Sequence, residues 1–164
     1  MITGRPPHLK TFDYRGFHRY FLTFCTDYRR RLFTTEEAVT LVREQILRAA
    51  RENQFGIIAY CFMPDHLHLL IAAQCESADC LHFIARAKQY SGYYYAQRYR
   101  RRLWQRYGYE HVLRDDELTL VVARYIFENP VRARLVTGVE DYPFSGSCVY
   151  TTGELLEAIV RWSG

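Results

Sequence analysis

Residues 57–73 read IIAYCFMPDHLHLLIAA. Two apolar runs of strand length flank Pro64-Asp65, a dipeptide that marks a tight turn. So short a connection permits only antiparallel pairing, so residues 57–63 and 66–73 are expected to be neighbouring strands. Upstream, residues 20–26 (YFLTFCT) are rich in aromatic and β-branched side chains and read as another strand. Between these strands Thr35 precedes Glu36 and Glu37, and Val39, Val42, Ile46 and Ala49 recur at helical spacing. Thr35 is therefore the expected N-cap of a helix reaching about Asn53, with the early acids favouring its dipole.

Downstream, Asp79 stands where it can cap a long helix to about Arg100, and residues 109–114 (YEHVLR) read as a fourth strand. Asp115 or Asp116 opens a further helix, with Leu118, Val121, Val122, Tyr125 and Ile126 in phase along it. Pro130 disfavours helical geometry at Asn129, so that helix is expected to end or bend there. The order strand, helix, strand, strand, helix, strand, helix is the split β-α-β pattern. It predicts an α+β chain with a ferredoxin-like antiparallel sheet and helices packed mainly on one face. Residues 1–18 read as an irregular lead-in, given Pro6-Pro7 and Gly16. A core of about residues 18–136 is followed by a tail, 137–164, in which 154–162 suit a short helix.

The length of 164 residues suits one domain, 1–164, large enough to bury a core. With 49% hydrophobic and 24% charged residues, the composition is that of a soluble globular protein. No stretch approaches the ~18 apolar residues of a membrane span, and MITGRPPHLK lacks the apolar run of a signal peptide, so a cytoplasmic location is the default. The five cysteines are odd in number and lack CxxC spacing, which argues against a disulfide framework or a four-thiolate zinc site.

The net charge of +4 is unevenly spread. Residues 80–109 contain no acid, yet they hold Arg86, Lys88, Arg98, Arg100, Arg101, Arg102 and Arg106. Tyr90, Tyr93, Tyr94, Tyr95, Tyr99, Trp104 and Tyr107 are interleaved with them. Cations bind phosphates and aromatic faces stack bases, so the mixture fits a surface for single-stranded nucleic acid. The alternative is a solvated basic helix whose tyrosines pack on the core.

His66 and His68 stand at i and i+2 on a predicted strand, so both imidazoles project from one face. Such a pair can hold a cation, although isolated pairs of this kind are more often ordinary surface or core histidines. Tyr125 and Asn129 stand four apart, on one face of a helix. An amide oxygen is a hard neutral ligand able to complete a two-histidine site for Mg²⁺ or Mn²⁺. Read alone, Tyr125 is equally a half-buried core tyrosine.

The strand-turn-strand AYCFMPDHLHLLI resembles that of the HUH nucleases, in which two histidines flank a hydrophobic residue. The later segment LWQRYGYEHVLRDDELTLVVARYIFENPVRARLV resembles the matching region of REP-associated tyrosine transposases, a branch of the single-tyrosine transposase superfamily. The resemblance runs from about Tyr20 to Val136 and is weakest in the tail. It implies that His66 and His68 are metal ligands, that Tyr125 is the catalytic nucleophile, and that Asn129 is the polar ligand four positions on, where classical insertion-sequence relatives carry glutamine.

The activity implied is metal-dependent cleavage and rejoining of single-stranded DNA beside a hairpin, through a covalent 5′-phosphotyrosine. Arg98, Arg100, Arg101 and Arg102 would grip phosphates, and Trp104 or Tyr107 would stack an unpaired base. Energy kept in the covalent ester makes ATP unnecessary, consistent with the lack of a P-loop motif. Two other functions stay open at this point: a hairpin-binding module that does not cut, and a metal-dependent nuclease using water. Monomer and homodimer are both compatible with the resemblance.

Overall fold

A computed structural model of the chain describes residues 12–113 and 116–162. Residues 1–11, with Pro6-Pro7 and His8, lie outside the described residues, as do Arg114 and Asp115, the last residue of the expected fourth strand and one of the two expected caps. The elements follow as β1 (Arg19–Cys25), α1 (Glu36–Glu52), β2 (Phe55–Met63), β3 (His66–Ala73), α2 (Cys80–Tyr99), β4 (Tyr109–Leu113), α3 (Asp116–Arg132), β5 (Ser145–Gly146) and α4 (Thr152–Trp162). The strands make one sheet in the order β4-β1-β3-β2-β5, every pairing antiparallel. The first four strands thus take the ferredoxin-like arrangement expected, and β3 lies at the centre.

The two caps form as read. The Thr35 hydroxyl accepts from the Ala38 amide at 3.3 Å and the Asp79 carboxylate from the His82 amide at 3.1 Å, each satisfying an amide with no partner inside its helix. Along β1, Tyr20, Leu22 and Phe24 are fully buried and alternate with less buried residues. They join Leu67, Leu69 and Ile71 of β3 under α1 and α2. The period of two in β3 sends His66, His68 and Leu70 to the opposite face.

That opposite face is covered too. Ala123, Ile126 and Phe127 of α3 and Leu155 and Ile159 of α4 form a second core with Ile58, Cys61, Met63 and Leu70. The helices of the split β-α-β unit share one face as expected, and α3 and α4 close the other. The physical reason is legible in β2, buried at every position: a strand apolar on both sides needs a cover on both.

The helix α3 differs from expectation at its end. It runs through Pro130 to Arg132 and neither stops nor caps at Asn129. Arg134 takes a left-handed φ of 58°, and the Arg134 and Leu135 amides donate to the Val131 and Pro130 carbonyls. This is a Schellman closure, which satisfies the last carbonyls. The Pro130 ring is buried, so packing and that closure offset the lost amide. The consequence for the site is that Tyr125 and Asn129 sit one turn apart on continuous helix.

Candidate active site

The hairpin of β2 and β3 fixes the histidines. Register places His66 between Cys25 and Met63, and His68 between Thr23 and Cys61. Their Nε2 atoms stand 3.1 Å apart. The Nδ1 atoms are engaged elsewhere: that of His66 meets Asp65 Oδ1 at 2.7 Å, and that of His68 meets Thr23 Oγ1 at 2.9 Å. A carboxylate only accepts, so His66 carries its proton on Nδ1 and turns a lone pair outward at Nε2. The Thr23 hydroxyl donates or accepts, so it serves either tautomer of His68.

Burial lowers the pKa of both rings. His68 is pushed down to about 3 by burial first, then by His66, Arg132 and Arg29. His66 is also lowered by burial, against the opposing pull of Asp65. Both are neutral near pH 7, the form that binds metals. Burial by itself would raise Asp65, but its hydrogen bonds to His66 and Arg29 outweigh that and hold the carboxyl below its ordinary range. Arg29 donates to Asp65 Oδ2 through Nε at 3.0 Å and approaches it through Nη2 at 2.9 Å.

Such an arrangement fits a cation. Two ligands at right angles on an ion, with bonds of about 2.1 Å, stand roughly 3.0 Å apart. The observed 3.1 Å matches that spacing, and outer partners orient each ring as they do around bound metals. Among the described residues no group of three or more His, Cys, Asp or Glu side chains could hold an ion. A third protein donor among the described residues would be of another type, such as the amide of Asn129, partly buried one turn beyond Tyr125.

Tyr125 is brought to the same place. Its ring lies edge-on to His68 with centroids 6.0 Å apart, and to Phe21 at 5.9 Å. It is 46% exposed, so the phenol is neither a core side chain nor beyond reach of a substrate. The site therefore joins a central strand and a helix packed across it, all within one chain.

A family model described as transposase, IS200-like, matches residues 17–129. This chain belongs to that family. It is therefore an enzyme of the transposase class, acting on DNA, and the matched span runs through His66, His68 and Tyr125 and ends on Asn129. A REP-associated tyrosine transposase of Escherichia coli K12 is 26% identical over 77% of this chain and 73% of its own length. A Haemophilus influenzae protein described in the same terms is 29% identical over 77% of each. A solved REP-associated tyrosine transposase bound to a REP hairpin superposes with a TM-score of 0.70 at 24% identity, covering 85% of this chain and 82% of that one. A Deinococcus radiodurans protein described as a transposase gives a TM-score of 0.51 at 22% identity, over 77% and 97%. The last two likenesses speak to the fold.

The basic, aromatic stretch of this IS200-like transposase divides into parts. Lys88, Gln89, Tyr93, Arg102, Gln105 and Arg106 line an open groove of about 600 Å³ beside α2. The groove adjoins the histidine end of the sheet: the Gln105 amide donates to the Cys25 carbonyl, and the Thr26 amide to the Asp65 carbonyl. Arg106 lies over the Tyr107 ring at 5.3 Å, and Tyr107 is 41% exposed. Arg100 and Arg101 are exposed just past α2. Arg98 pairs with Glu37 at 2.7 Å, and Arg86 donates to Gln89 at 2.6 Å.

Trp104, one of the two residues expected to stack a base, lies in the core and borders that groove. It is 5% exposed, donates from Nε1 to Ser91 Oγ at 2.9 Å and packs on Phe24 and Phe33. An apolar indole beside a basic run satisfies the core first. Sequence reasoning also missed Asp65, Thr23, Arg29 and Arg132. Only Asp65 carried a signal, an acid beside a candidate ligand; Thr23 depends on strand register, Arg29 on the turn after β1 and Arg132 on helix phase.

Proposed function

We propose that this IS200-like transposase is a metal-dependent endonuclease and strand-transferase. It cleaves single-stranded DNA beside a hairpin and forms a covalent 5′-phosphotyrosine on Tyr125. What carries the reading is the contact of the exposed Tyr125 ring with His68, across two elements distant in sequence. His66, His68 and Asn129 would hold Mg²⁺ or Mn²⁺. The bound cation would draw charge from a non-bridging oxygen of the scissile phosphate.

The chain's own groups perform the rest. Tyr125 Oη attacks phosphorus as the P–O3′ bond breaks, and the proton lost by the phenol is balanced by one gained at the freed 3′-hydroxyl. One ester replaces another, so rejoining needs no nucleotide. Asp65 and Thr23 orient the imidazoles. Lys88, Arg102 and Arg106 bind backbone phosphates along the groove, and Tyr107 stacks a base. Arg86, Arg98, Arg100 and Arg101 add to the positive field along α2 and just beyond it. Because Tyr125 faces the histidines of its own chain, a monomer suffices for cleavage. No described helix is long and apolar enough to cross a membrane, and we place the enzyme with its substrate in the cytoplasm.

The test is incubation with Mn²⁺ and a library of labelled single-stranded hairpins, resolved on a denaturing gel. Wild type should give a protein–DNA adduct, and Tyr125→Phe should bind hairpins without forming one. Cleavage by Tyr125→Phe at the normal rate would refute the nucleophile assignment.

A further inference from the structure

Arg132 lies over the face of Tyr125, with Cζ 4.2 Å from the ring centroid. Its Nη2 donates to the Tyr125 carbonyl at 2.5 Å, reaching back seven residues along α3. Its Nη1 meets Glu128 Oε2 at 3.4 Å, a long contact. The other oxygen of Glu128 is held more tightly by Arg124 Nε at 2.7 Å. Arg132 thus makes only a long contact with a carboxylate whose other oxygen Arg124 engages closely. The side chain of Arg132 is 42% exposed, open to solvent beside the phenol.

Arg29, the other cation bordering the histidines, is differently placed. Two of its nitrogens approach one carboxylate, Asp65, which balances its charge. A guanidinium keeps its charge at any working pH, and its planar fork matches the oxygens of a phosphate. Arg132 therefore meets the two requirements of a phosphate clamp: contact with the nucleophile, and a solvent-open guanidinium whose one ion-pair contact is long.

We propose that Arg132 is a catalytic residue that holds Tyr125 by its ring and donates to a non-bridging oxygen of the phosphodiester under attack. The inference rests on Tyr125 being the nucleophile. As the Oη–P bond forms and the P–O3′ bond breaks, negative charge shifts onto the non-bridging oxygens. Arg132 stabilises that charge and transfers no proton. The Schellman closure after Pro130 fixes where α3 ends, and so sets the phase that returns this side chain over Tyr125.

The experiment compares wild type, Arg132→Gln and Arg132→Lys in single-turnover adduct formation with Mn²⁺ and labelled hairpins. Arg132→Gln should slow adduct formation by about 10²–10³-fold, the loss typical of one charge-stabilising donor. Arg132→Lys should recover part of it. Hairpin affinity, measured in the Tyr125→Phe background, should change less than about threefold, because the clamp acts on the transition state. Once the wild-type cut site is mapped, a neutral methylphosphonate placed there removes the charge that Arg132 serves. The ratio of wild-type to Arg132→Gln rates should then fall towards one.

An Arg132→Gln rate within threefold of wild type on the normal substrate overturns the proposal. So does an undiminished ratio on the methylphosphonate, which would make Arg132 a positioning residue only. If wild type itself forms no adduct on any hairpin, the Tyr125 assignment fails and the clamp with it; adduct formation that Arg132→Gln leaves intact defeats the clamp alone.

Discussion

Replacing Asp65 by Asn tests whether the histidine pair is built for a cation. Asp65 Oδ1 accepts from His66 Nδ1 at 2.7 Å, while Oδ2 accepts from Arg29 at 3.0 Å. An amide has one oxygen to offer. Turned towards His66, it points its NH₂ at the Arg29 guanidinium, donor against donor. Turned towards Arg29, it donates to His66 Nδ1, moves the ring proton to Nε2 and removes the lone pair facing His68. Neither orientation keeps both contacts, and the second abolishes a ligand, much as the wrong tautomer disables a catalytic histidine elsewhere. Losing an outer-shell partner lowers metal affinity by about 10–100-fold, or roughly 1.4–2.8 kcal/mol. The assay is Mn²⁺ binding by calorimetry or electron paramagnetic resonance, with thermal unfolding of the metal-free protein as the control for folding. Affinity within twofold of wild type, in a folded Asp65→Asn protein, would show that Asp65 does not orient a ligand.

Further expectations concern pH, packing and DNA. The depression of His68 to about 3 means that the unfolded chain takes up its proton first as acid is added. The associated stability is complete above about pH 6.5 and is lost as pH falls towards 3, about 5 kcal/mol in all. Urea melts of metal-free protein should track this loss, and a His68→Gln variant with an equally steep acid decline would refute it. Trp104→Ala should cost about 3–5 kcal/mol of stability, as loss of a buried large aromatic does, while Tyr107→Ala should leave the melting temperature alone and weaken hairpin binding by about 1–3 kcal/mol. The reverse pattern would return Trp104 to the DNA surface. Arg106→Ala and Lys88→Ala should each reduce the slope of log affinity against log salt by about 0.7; an unchanged slope in both would place the backbone elsewhere.

Much of the fold was open to reading because local signals agreed with the tertiary outcome. Alternation in β1, the Pro64-Asp65 turn and the caps at Thr35 and Asp79 each specify an element without help from distant residues. What escaped reading depends on packing. Whether a strand apolar on both sides is covered once or twice is not written in any window, and α3 was not placed on the second face. Pro130 carries a local preference that burial and a downstream closure override. For the candidate site, the histidine pair and Tyr125 lay in legible motifs. Thr23 entered through register and Arg132 through helix phase, which no pattern of residue types reveals. Trp104 shows the converse: composition grouped it with the arginines, and space filling took it into the core.

The place of β3 in the sheet has a consequence for how the proposed metal site would be lost. Its neighbours β1 and β2 bond it on both sides, while β4 and β5 form the margins. Amides of a central strand exchange with deuterium only through near-global opening, whereas margins fray at little cost. His66 and His68 therefore stay juxtaposed while the periphery breathes, and their separation coincides with cooperative collapse of the whole sheet. If the proposed site holds Mn²⁺, its release on warming and deuterium uptake along β3 should share one transition.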